Sequence, residues 1–376
     1  MILPALTFLL IILVCGSMGF CLLAVLASAR YRKRRSEPSP DMPFISVLIP
    51  LAGAEEGLCE NLISFFEQDY PEFEVLLAVA DADHPAAPLA RETMAKFPQT
   101  NSSLVVAGDA PTPNRKVHSL RALSAEARYA LLVMADSDVR VSPDLLRVIA
   151  SEMADPAVQV VTCPYRASAG VSIWAALEAI GLNTEFIARV LVAQMRGSMD
   201  FALGPTLAVR REALAAIGGY DELQNYLAED FILGSRVAKL GGRVRLSRFI
   251  VEHRLGAQTF RANFAHRIQS ARSTRRSRPR AYVGELFTNP IPLAIALLLV
   301  AHTLWPLVAL SVIFRFWMAD ATSQKVLRDP LTRDFWYLIP VQDILSFVIW
   351  IAGFWGSSIR WQGKKISVLG SGRFGS

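Results

Sequence analysis

Three of the close acidic pairs in the sequence stand at the end of an apolar run or ahead of a helix-like one. Two of the pairs are Asp-x-Asp, at residues 81–83 and 136–138, and the third is Glu-Asp at 229–230. Each Asp-x-Asp pair follows a short apolar run, so we expect it at the exit of a buried strand. Two carboxylates on such an exit are hard oxygen ligands that could share a divalent cation with a diphosphate. The pairs therefore predict cation-assisted chemistry on a phosphorylated substrate.

These carboxylates also have structural interpretations. An acidic residue at the start of a helix often caps the helix or interacts with its dipole and has no role in catalysis. For Asp81, Asp136 and Asp138 we favour a functional role, because two pairs at strand exits are hard to explain by capping alone. Asp230 precedes a helix-like run, where it could accept a proton from an attacking hydroxyl as a general base. For Glu229 and Asp230 the structural interpretation stays open.

The elements that must position these residues alternate between strand and helix patterns. Apolar runs predict strands at residues 46–50, 74–79 and 130–135, with weaker candidates at 158–161, 206–209 and 243–246. Residues 55–68 read as a helix between the first two strands, and that spacing fits a right-handed βαβ unit. The pattern predicts an α/β fold with a mostly parallel sheet. Its ligand site should lie beyond the C-terminal ends of the strands.

Three long apolar segments account for the hydrophobic content, which is 52% of 376 residues. Residues 1–29 and 286–314 contain no Asp, Glu, Lys or Arg, and residues 335–359 contain only Asp343. About 20 apolar residues suffice for a helix to cross the hydrocarbon of a bilayer. We expect one N-terminal and about two C-terminal transmembrane helices, which excludes a purely soluble enzyme and argues against a transporter.

Basic residues cluster beside the apolar segments. The formal net charge is +6, and arginines concentrate in residues 30–35 and 261–280. The positive-inside rule places both clusters, and the chain between them, on the cytoplasmic side. Nucleic-acid binding is disfavoured, because no basic stripe with interleaved aromatic residues or zinc-ligand spacing occurs. The first segment lacks a basic residue ahead of it, so we interpret it as an uncleaved anchor and not as a signal peptide.

These features predict a multi-pass protein of the inner (cytoplasmic) membrane. Its expected parts are a transmembrane anchor at 1–29, a basic linker at 30–40, a cytoplasmic catalytic domain at 41–284 that includes the basic membrane-surface segment 261–280, a C-terminal membrane region at 285–359 and a cytoplasmic tail at 360–376. The oligomeric state is not indicated by the sequence.

The motifs together resemble family 2 glycosyltransferases of the GT-A fold, and more closely the ceramide glucosyltransferase-like group. The matching segments are residues 46–51, 65–71, 74–76, 136–140, 164–166, 218–219 and 228–230. Within the group, residues 271–280 and 284–290 most resemble bacterial hopanoid-biosynthesis-associated glycosyltransferases. The resemblance implies a nucleotide-sugar-binding GT-A domain that transfers a sugar to a lipid.

The resemblance also implies roles for individual residues. Asp81 would bind the nucleotide base or ribose, and Lys116 would contact the donor. Asp136 and Asp138 would hold Mg²⁺ or Mn²⁺ on the diphosphate, and Asp230 would deprotonate the acceptor. Possible further contacts to the acceptor or diphosphate are Glu229, Gly204, Thr206, His253, His266, Arg267, Gln269 and Arg272. A surface lysine at 116, a plain turn at 204–206 and a partly buried histidine at 253 remain the structural alternatives.

One motif departs from the pattern of the group. Members carry Gln or Arg, two variable residues and Arg-Trp on a membrane-surface helix, whereas residues 266–272 contain no Arg-Trp pair. In the group this segment helps to hold the donor diphosphate and the acceptor. Either neighbouring arginines substitute for the motif or activity is weakened.

The expected function is a membrane-bound, metal-dependent, inverting transfer of a sugar from a UDP donor to a lipid hydroxyl. N-acetylglucosamine is the favoured sugar and glucose the next. A hopanoid polyol is the favoured acceptor, with ceramide or diacylglycerol glucosylation as the alternative. Two further alternatives stay open, a processive polysaccharide synthase of the same fold and a non-catalytic membrane scaffold that retains it.

Overall fold

The computed structural model describes residues 2–34, 42–195, 197, 199–356, 358–361, 364–367 and 369–374. The chain divides into two compact units. One, which we call the sheet unit, comprises Arg35–Tyr165 and Gly197–Gly256; the other, the helical unit, comprises Met1–Arg34, Arg166–Arg196 and Ala257–Ser376. Most of the predicted basic linker, residues 35–40, lies outside the described residues.

The strands and helices are numbered along the chain. The strands are β1 (Ile45–Pro50), β2 (Phe73–Val79), β3 (Asn101–Val106), β4 (Leu131–Ala135), β5 (Val139–Arg140), β6 (Val158–Thr162), β7 (Tyr165–Ala169), β8 (Thr206–Arg210), β9 (Arg243–Leu246), β10 (Val251–Leu255), β11 (Ser358–Trp361) and β12 (Lys364–Ser367). The α-helices are α1 (Ile2–Lys33), α2 (Leu58–Phe66), α3 (Ala86–Lys96), α4 (Arg115–Glu126), α5 (Leu145–Met153), α6 (Ile173–Gly181), α7 (Ile187–Gln194), α8 (Arg211–Ala216), α9 (Glu229–Lys239), α10 (Phe260–Ser277), α11 (Pro279–Gly284), α12 (Pro290–Val300), α13 (Trp305–Ala319), α14 (Pro330–Asp334) and α15 (Ile339–Ala352).

A seven-stranded sheet with the order β3-β2-β1-β4-β8-β6-β9 forms the centre of the sheet unit. Strand β1 pairs in parallel with β2 and β4, and β2 pairs in parallel with β3. Strand β8 runs antiparallel to β4 and β6, and β9 is parallel to β6. The predicted α/β fold with a mostly parallel sheet is confirmed. The C-terminal ends of β1, β2 and β4 share one edge, where such sheets bind ligands.

Burial explains why the central strands read as continuous apolar runs. Every residue of β1 and of β4 is buried, as expected for parallel strands covered by helices on both faces. Val47 and Val133 from these strands pack in one core cluster with Leu62 and Phe65 of α2. Helix α5 adds Ile149 to the same cluster. The apolar stripes of these helices thus fix the sheet whose edge carries the acidic pairs.

The helical unit contains the apolar segments. Two helices of the described chain, Leu3–Lys33 and His302–Gln324, are long and apolar enough to cross a membrane. A third crossing is possible if Pro279–Thr288 and Pro290–Val300, which meet at a bend of 62°, form one broken span. The predicted segment 335–359 holds a shorter apolar helix, Trp336–Ala352. The expected N-terminal helix is confirmed, and one or two helices of suitable length and composition stand where about two C-terminal ones were expected.

Asp343 forms an ion pair inside the helical unit. Both its oxygens accept hydrogen bonds from Arg315, with Nε to Oδ2 at 2.9 Å and Nη2 to Oδ1 at 2.7 Å. Arg315 Nη2 also donates to Thr184 Oγ1 at 3.0 Å, and Arg315 and Asp343 are both fully buried. A charged side chain at membrane depth is costly unless it is paired, and Arg315 supplies the partner.

The unit boundaries differ from the contiguous domain expected at 41–284. Residues 166–196 and 257–284 group with the membrane helices, and the sheet unit ends at Gly256. The basic segment 261–280 therefore lies in the helical unit. Each unit is built from separated stretches of the chain, which composition along the sequence does not reveal.

Candidate active site

The second Asp-x-Asp pair occupies the turn that leaves β4. Asp136 N–H donates to the carbonyl of Pro205 at 3.0 Å, and Arg254 N–H donates to the carbonyl of Asp138 at 2.9 Å. Asn61 Nδ2 holds the residue between them by donating to the Ser137 carbonyl at 3.0 Å. The turn is thus fixed from three sides by backbone and amide contacts, which presets where the two carboxylates point.

Lys116 joins two of the predicted acidic sites. Its Nζ lies 2.6 Å from Asp136 Oδ1 and 3.0 Å from Glu229 Oε1. Lys116 stands in the first turn of α4, whose N-cap is Asn114. The side chains of Lys116 and Asp136 each keep 29% of their surface exposed, so a ligand can reach both. Lys116 is therefore not a solvated surface lysine.

Burial and neighbouring charges shift the titration of this group. Burial raises the pKa of Asp136 to about 6, against the lowering effect of the Lys116 ammonium. For Lys116, burial lowers the pKa, but Asp136 and Glu229 outweigh it and hold the pKa well above its usual value. Lys116 is therefore charged throughout the physiological range, whereas Asp136 takes up a proton in mildly acidic solution.

Glu229 pairs with Lys116, and Asn114 in turn holds Glu229 by a hydrogen bond. The sequence did not indicate this role of Asn114. Asn114 Oδ1 accepts the N–H of Val117 as an N-cap at 3.1 Å. Its Nδ2 donates to the Tyr226 carbonyl at 2.8 Å and to Glu229 Oε2 at 3.3 Å. One side chain thereby ties the start of α4 to the start of α9, where Glu229 and Asp230 stand.

Asp230 lies beside a glycine at the entry to β8. A Cβ atom added to Gly204 would stand 3.1 Å from Asp230 Oδ2 and 3.8 Å from Lys116 Nζ. Helix α9 is held close by Gly234, where any Cβ would overlap the backbone of Phe201 and Ala202. The predicted residues Gly204, Lys116 and Asp230 are thus brought together, and the glycine leaves room beside the carboxylate.

Asp138 pairs with His253 of β10. His253 Nε2 lies 3.2 Å from Asp138 Oδ2, and the edge of the Tyr165 ring packs against the imidazole at 5.4 Å between centroids. Burial raises the pKa of Asp138, but the hydrogen bond and charge of His253 outweigh it, so the pKa lies below the usual value. Burial and the Asp138 carboxylate raise the pKa of Glu55, a nearby acid that the motifs did not single out.

The donor set fits a divalent cation that is shared with a ligand. Among the described residues, no three His, Cys, Asp or Glu side chains converge into a centre of protein ligands alone. Asp138 Oδ1 is buried and accepts no hydrogen bond from any described residue. Mg²⁺ in nucleotide sites uses one or two carboxylates together with phosphate oxygens. An unsatisfied oxygen on Asp138, next to Asp136, suits that arrangement.

Asp81 lies at the same edge of the sheet but outside the converging group. It is exposed in the turn after β2, and its Oδ1 accepts the N–H of Asp83 at 3.1 Å. Strand β1 separates β2 from β4 in the sheet. Its position beyond a strand end is compatible with the predicted contact to the nucleoside, and that role stays a prediction.

Thr206 is buried, and its predicted contact to the acceptor or diphosphate stays a prediction. It is fully buried in β8, paired with Ala135, and its hydroxyl donates to the Pro205 carbonyl at 2.7 Å. The first four residues of β8 are all buried, because this strand lies between β4 and β6 inside the sheet.

Four further predicted residues belong to α10 in the helical unit, where they contact other helices. His266 Nδ1 lies 3.3 Å from Glu178 Oε1. Arg267 donates to Gln342 Oε1 and Ser346 Oγ, each at 3.2 Å, and Arg272 Nε donates to the Trp355 carbonyl at 2.9 Å. Gln269 lies on the same helix. At least three of the four thus serve packing of the helical unit, and their contacts to a ligand stay predictions.

The chain matches the model of glycosyl transferase family 21 over residues 7–374. The chain belongs to glycosyl transferase family 21. Membership confirms the predicted glycosyltransferase and its resemblance to the ceramide glucosyltransferase-like group. The acidic turn after β4 and the acids that begin α9 are therefore the candidate catalytic residues of a family 21 chain.

Curated relatives of this family 21 chain are ceramide glucosyltransferases. Ceramide glucosyltransferase 1 of Caenorhabditis elegans is 28% identical over 213 residues, which are 56% of this chain and 45% of that protein. Ceramide glucosyltransferase 3 of the same organism is 26% identical over 236 residues, which are 61% of this chain and 51% of that protein. The matched regions thus span about half the length of these relatives.

A solved structure supports the fold. The mannosyltransferase PcManGT from Pyrobaculum calidifontis, in complex with GDP-Man and Mn²⁺, superposes with a TM-score of 0.55 at 20% identity. The match covers 92% of this chain and 99% of that one. The family 21 chain thus has the GT-A-like glycosyltransferase fold that its motifs predicted.

Proposed function

We propose that this family 21 chain transfers a sugar from a UDP donor to a lipid hydroxyl with inversion at the anomeric carbon. The observation that carries the proposal is the convergence of Lys116, Asp136 and Glu229 next to Asp230, at the sheet edge where α/β folds bind ligands. Family membership supplies the reaction class.

The step uses Asp230 as the general base. The acceptor hydroxyl oxygen bonds to C1 of the sugar, the bond from C1 to the diphosphate oxygen breaks, and the electron pair leaves with UDP. The hydroxyl proton passes to the Asp230 carboxylate, which lies beside the space left by Gly204. Lys116, whose pKa is raised well above its usual value, keeps positive charge near the leaving group.

The proposed cofactor is Mg²⁺ or Mn²⁺. Asp136 and Asp138 would hold it, and the unsatisfied Oδ1 of Asp138 supports that assignment. PcManGT was solved with Mn²⁺, which favours a divalent cation in this fold. A bound cation supplies positive charge that stabilises the diphosphate as it leaves. Asp81 would contact the nucleoside part of the donor.

Two donor and acceptor pairs are proposed in order. N-acetylglucosamine transfer to a hopanoid polyol rests on the resemblance of residues 271–280 and 284–290 to hopanoid-associated enzymes. Glucose transfer to ceramide is the second candidate, and the names of the Caenorhabditis elegans relatives favour it. The choice of UDP over GDP rests on the resemblance, since PcManGT binds GDP-Man.

A lipid acceptor fits the membrane helices that accompany the fold. The helical unit contains two helices able to cross a membrane, and a third if the bent pair is one span. We propose that the protein resides in the inner membrane with the sheet unit in the cytoplasm, because the arginine clusters at 30–35 and 261–280 follow the positive-inside rule.

Asp230→Asn tests the assignment of the base. Loss of a general base typically lowers the rate by about 10² to 10⁴, so we expect turnover to fall by that factor while UDP binding is retained. Full-length protein in nanodiscs would be incubated with radiolabelled UDP-sugars and with hopanoid, ceramide or diacylglycerol acceptors. Asp221→Asn is the matched control, because Asp221 is exposed and pairs with a surface arginine, Arg121, in a contact worth little.

The products separate the alternatives. One labelled glycolipid, lost in Asp230→Asn and kept in Asp221→Asn, supports the transferase. A labelled polymer would indicate a processive synthase. No product with any donor or acceptor would indicate a non-catalytic scaffold, an alternative that the absence of an Arg-Trp pair from residues 266–272 supports. Normal turnover in Asp230→Asn would remove Asp230 from the mechanism.

A further inference from the structure

Helix α15 exposes an apolar face although it is too short to cross a membrane. Its 14 residues rise about 21 Å, whereas the hydrocarbon of a bilayer is about 30 Å thick. Val341, Ile344, Val348 and Ile351 follow one another at helical spacing, and each keeps 37% to 50% of its surface exposed. We call these four residues the α15 face. An apolar stripe of this kind requires an apolar partner.

Helix α13 runs in the same direction as α1, which shows where α13 ends. Val308, in its first turns, packs against the cluster that contains Val14 of α1. Met318, near its end, packs in one cluster with Cys21 of α1. Helix α1 ends with basic residues, the last of them Lys33. We call that end of the helical unit the basic side, and α13 ends toward it.

Helix α12 runs in the opposite direction, so it begins toward the basic side. A Cβ atom added to Gly16 of α1 would stand 2.8 Å from the ring of Phe287, just ahead of α12. Leu297, further along α12, packs in one cluster with Leu10, which is nearer the start of α1. The end of α13 and the start of α12 therefore lie on the same side.

The two ends of α15 meet these two places. At its start, Ile339 packs in one cluster with Ala319, the last residue of α13. Near its end, Trp350 exchanges two hydrogen bonds with Tyr282 of α11, which leads into α12. Tyr282 Oη donates to the Trp350 carbonyl at 2.6 Å, and Trp350 Nε1 donates to the Tyr282 carbonyl at 2.8 Å. Both ends of α15 thus lie toward the basic side.

Charged side chains lie at the same level of the helical unit. Asp343 of α15 pairs with Arg315, one helical turn before the end of α13. Glu285, just ahead of α12, lies 3.6 Å from Arg189 of α7, measured from Oε1 to Nη2. Charged groups are costly in hydrocarbon and are placed toward its boundary or against protein. This level therefore fits the boundary of the hydrocarbon and not its centre.

We propose that α15 lies in the membrane interface on the basic side without crossing the membrane, and that the α15 face inserts among the acyl chains of that leaflet. Phe347 of α15 packs against the cluster that α1 and α12 form, so the lipid around those helices also reaches α15. Trp336 and Trp355 keep 57% and 65% of their surface exposed beside the two ends of the helix, and such rings are enriched at interfaces.

The proposal changes the expected topology of the C-terminal region. If α15 crossed the membrane, Asp334 before it and Gly370 after it would lie on opposite sides. In the proposed arrangement both lie on the basic side. The inference rests on the proposed membrane residence of the chain and does not depend on the proposed reaction.

Cysteine labelling in sealed membranes separates the two arrangements. Asp334→Cys and Gly370→Cys, both at exposed positions, would be made in the full-length protein. A membrane-impermeant maleimide would be added to spheroplasts and to inside-out vesicles, with the wild-type protein as background. Lys33→Cys marks the basic side, and Thr303→Cys, exposed between α12 and α13, marks the other side.

We expect Asp334→Cys and Gly370→Cys to be labelled in the same preparation as Lys33→Cys, and Thr303→Cys in the other one. Labelling of Asp334→Cys and Gly370→Cys in different preparations would overturn the proposal, as would labelling of both together with Thr303→Cys. Labelling of Lys33→Cys and Thr303→Cys in one preparation would overturn the membrane spans themselves and the proposal with them. Turnover of the enzyme enters none of these outcomes.

Nitroxide labels at the α15 face measure its depth and its partner. Collision with O₂, relative to collision with a nickel chelate, increases with depth in a bilayer. Val341 and Ile351 lie about 15 Å apart along the helix, so equal depths at both are expected, whereas a crossing helix would give depths that differ by about that distance. Ile313, an exposed residue of α13, is the lipid-facing control. Shielding of the α15 face from both reagents, unlike Ile313, would mean that a second copy or another protein covers it and would overturn the proposal.

Discussion

Lys116 neutralises part of the negative charge of the acidic side chains in the candidate site. One ammonium group contacts two carboxylates within 3.0 Å, and the negative charge of a third carboxylate, Asp230, also raises the pKa of Lys116. Without the lysine, Asp136 and Glu229 would repel each other in a partly buried place. Lys116 thus allows several acids to share a small volume, which a site for a diphosphate and a hydroxyl requires.

The raised pKa of Asp136 predicts the pH dependence of cation binding. A carboxyl group with a pKa of about 6 is ionised at neutral pH and protonated in mild acid. A proton and a cation compete for the same oxygen, so Mn²⁺ affinity should be flat at neutral pH and above. Below about pH 6 it should fall about tenfold for each further unit.

Titration calorimetry of Mn²⁺ into the complex with a UDP-sugar, over a series of pH values, measures this dependence. Both phosphates of a UDP-sugar are diesters and stay ionised near pH 6, unlike the terminal phosphate of UDP. Asp69→Asn is a control, because Asp69 is exposed and paired with Arg147, so the profile should not move. Affinity that stays constant well below pH 6 would show that Asp136 is not a ligand.

At the residue scale, the sequence indicated most of the acidic residues of the candidate site, but not the residues that hold them in position. Asp136, Asp138 and Asp230 were found because each stands at the end of a strand or the start of a helix. The bracing role of Asn114 was not predictable, because its amide reaches Glu229 across 115 positions of the chain. The burial of Thr206 was not predictable either, because it depends on the neighbours of β8 in the sheet and not on the residues around Thr206.

At the scale of elements, the entry to β8 and the start of α9 form one functional corner. Gly204→Ala would place a methyl group 3.1 Å from Asp230 Oδ2, closer than packing normally allows, so the carboxylate must shift. The shift that relieves this contact is a few tenths of an ångström. Because a displacement of about 1 Å can cost about 10² in rate, we expect kcat to fall by less than that, roughly tenfold, with UDP binding retained.

Steady-state kinetics with labelled donor and a UDP binding assay check this outcome. The matched control is Gly256→Ala, where an added Cβ meets nothing within 4 Å. Unchanged kcat in Gly204→Ala would mean that the space beside Asp230 is not used by the reaction.

The Arg315–Asp343 pair predicts a non-additive pattern of stability. Removing one partner of a buried ion pair typically costs about 3 to 5 kcal/mol, whereas replacing both by apolar residues is often neutral. Without Asp343, Arg315 keeps Glu185 at 3.8 Å, a weaker partner than the carboxylate that accepts two hydrogen bonds from it. Arg315→Met and Asp343→Leu should therefore each destabilise the protein strongly, and the double variant should recover most of the loss.

Unfolding by SDS in mixed micelles provides the free energies for this double-mutant cycle. Additive losses in the double variant would show that the two side chains do not act as a pair. Activity need not be measured, so the test is independent of the proposed reaction.

The strands that are buried throughout were predicted correctly, because burial gives them a continuous run of apolar residues. The expected strands at 46–50, 74–79 and 130–135 correspond to β1, β2 and β4 with shifts of at most one residue at either end. Strand β3 was not predicted, because it begins Asn-Ser-Ser at the edge of the sheet and is only partly buried. The antiparallel direction of β8 could not be predicted either, since direction depends on its neighbours and not on its own residues.

At the scale of the whole molecule, the chain alternates between its two units. It leaves the sheet unit after Tyr165, returns at Gly197 and leaves again after Gly256. Residues 166–196 are rich in apolar residues, but Glu178, Glu185 and Arg189 interrupt them. They therefore did not count among the long apolar segments and were expected in the catalytic domain. Their place in the helical unit is set by tertiary contacts, such as that of Thr184 with Arg315.

The reaction product tests most directly whether the whole molecule is a lipid glycosyltransferase. Purified full-length protein in nanodiscs would be given a UDP-sugar, a divalent cation and lipid acceptors, and the product analysed by mass spectrometry and NMR. We expect one glycolipid with a single sugar in the β configuration, because the donor is α-linked and the transfer inverts the configuration at the anomeric carbon. An α-linked glycolipid, a polymer or only free sugar would contradict it.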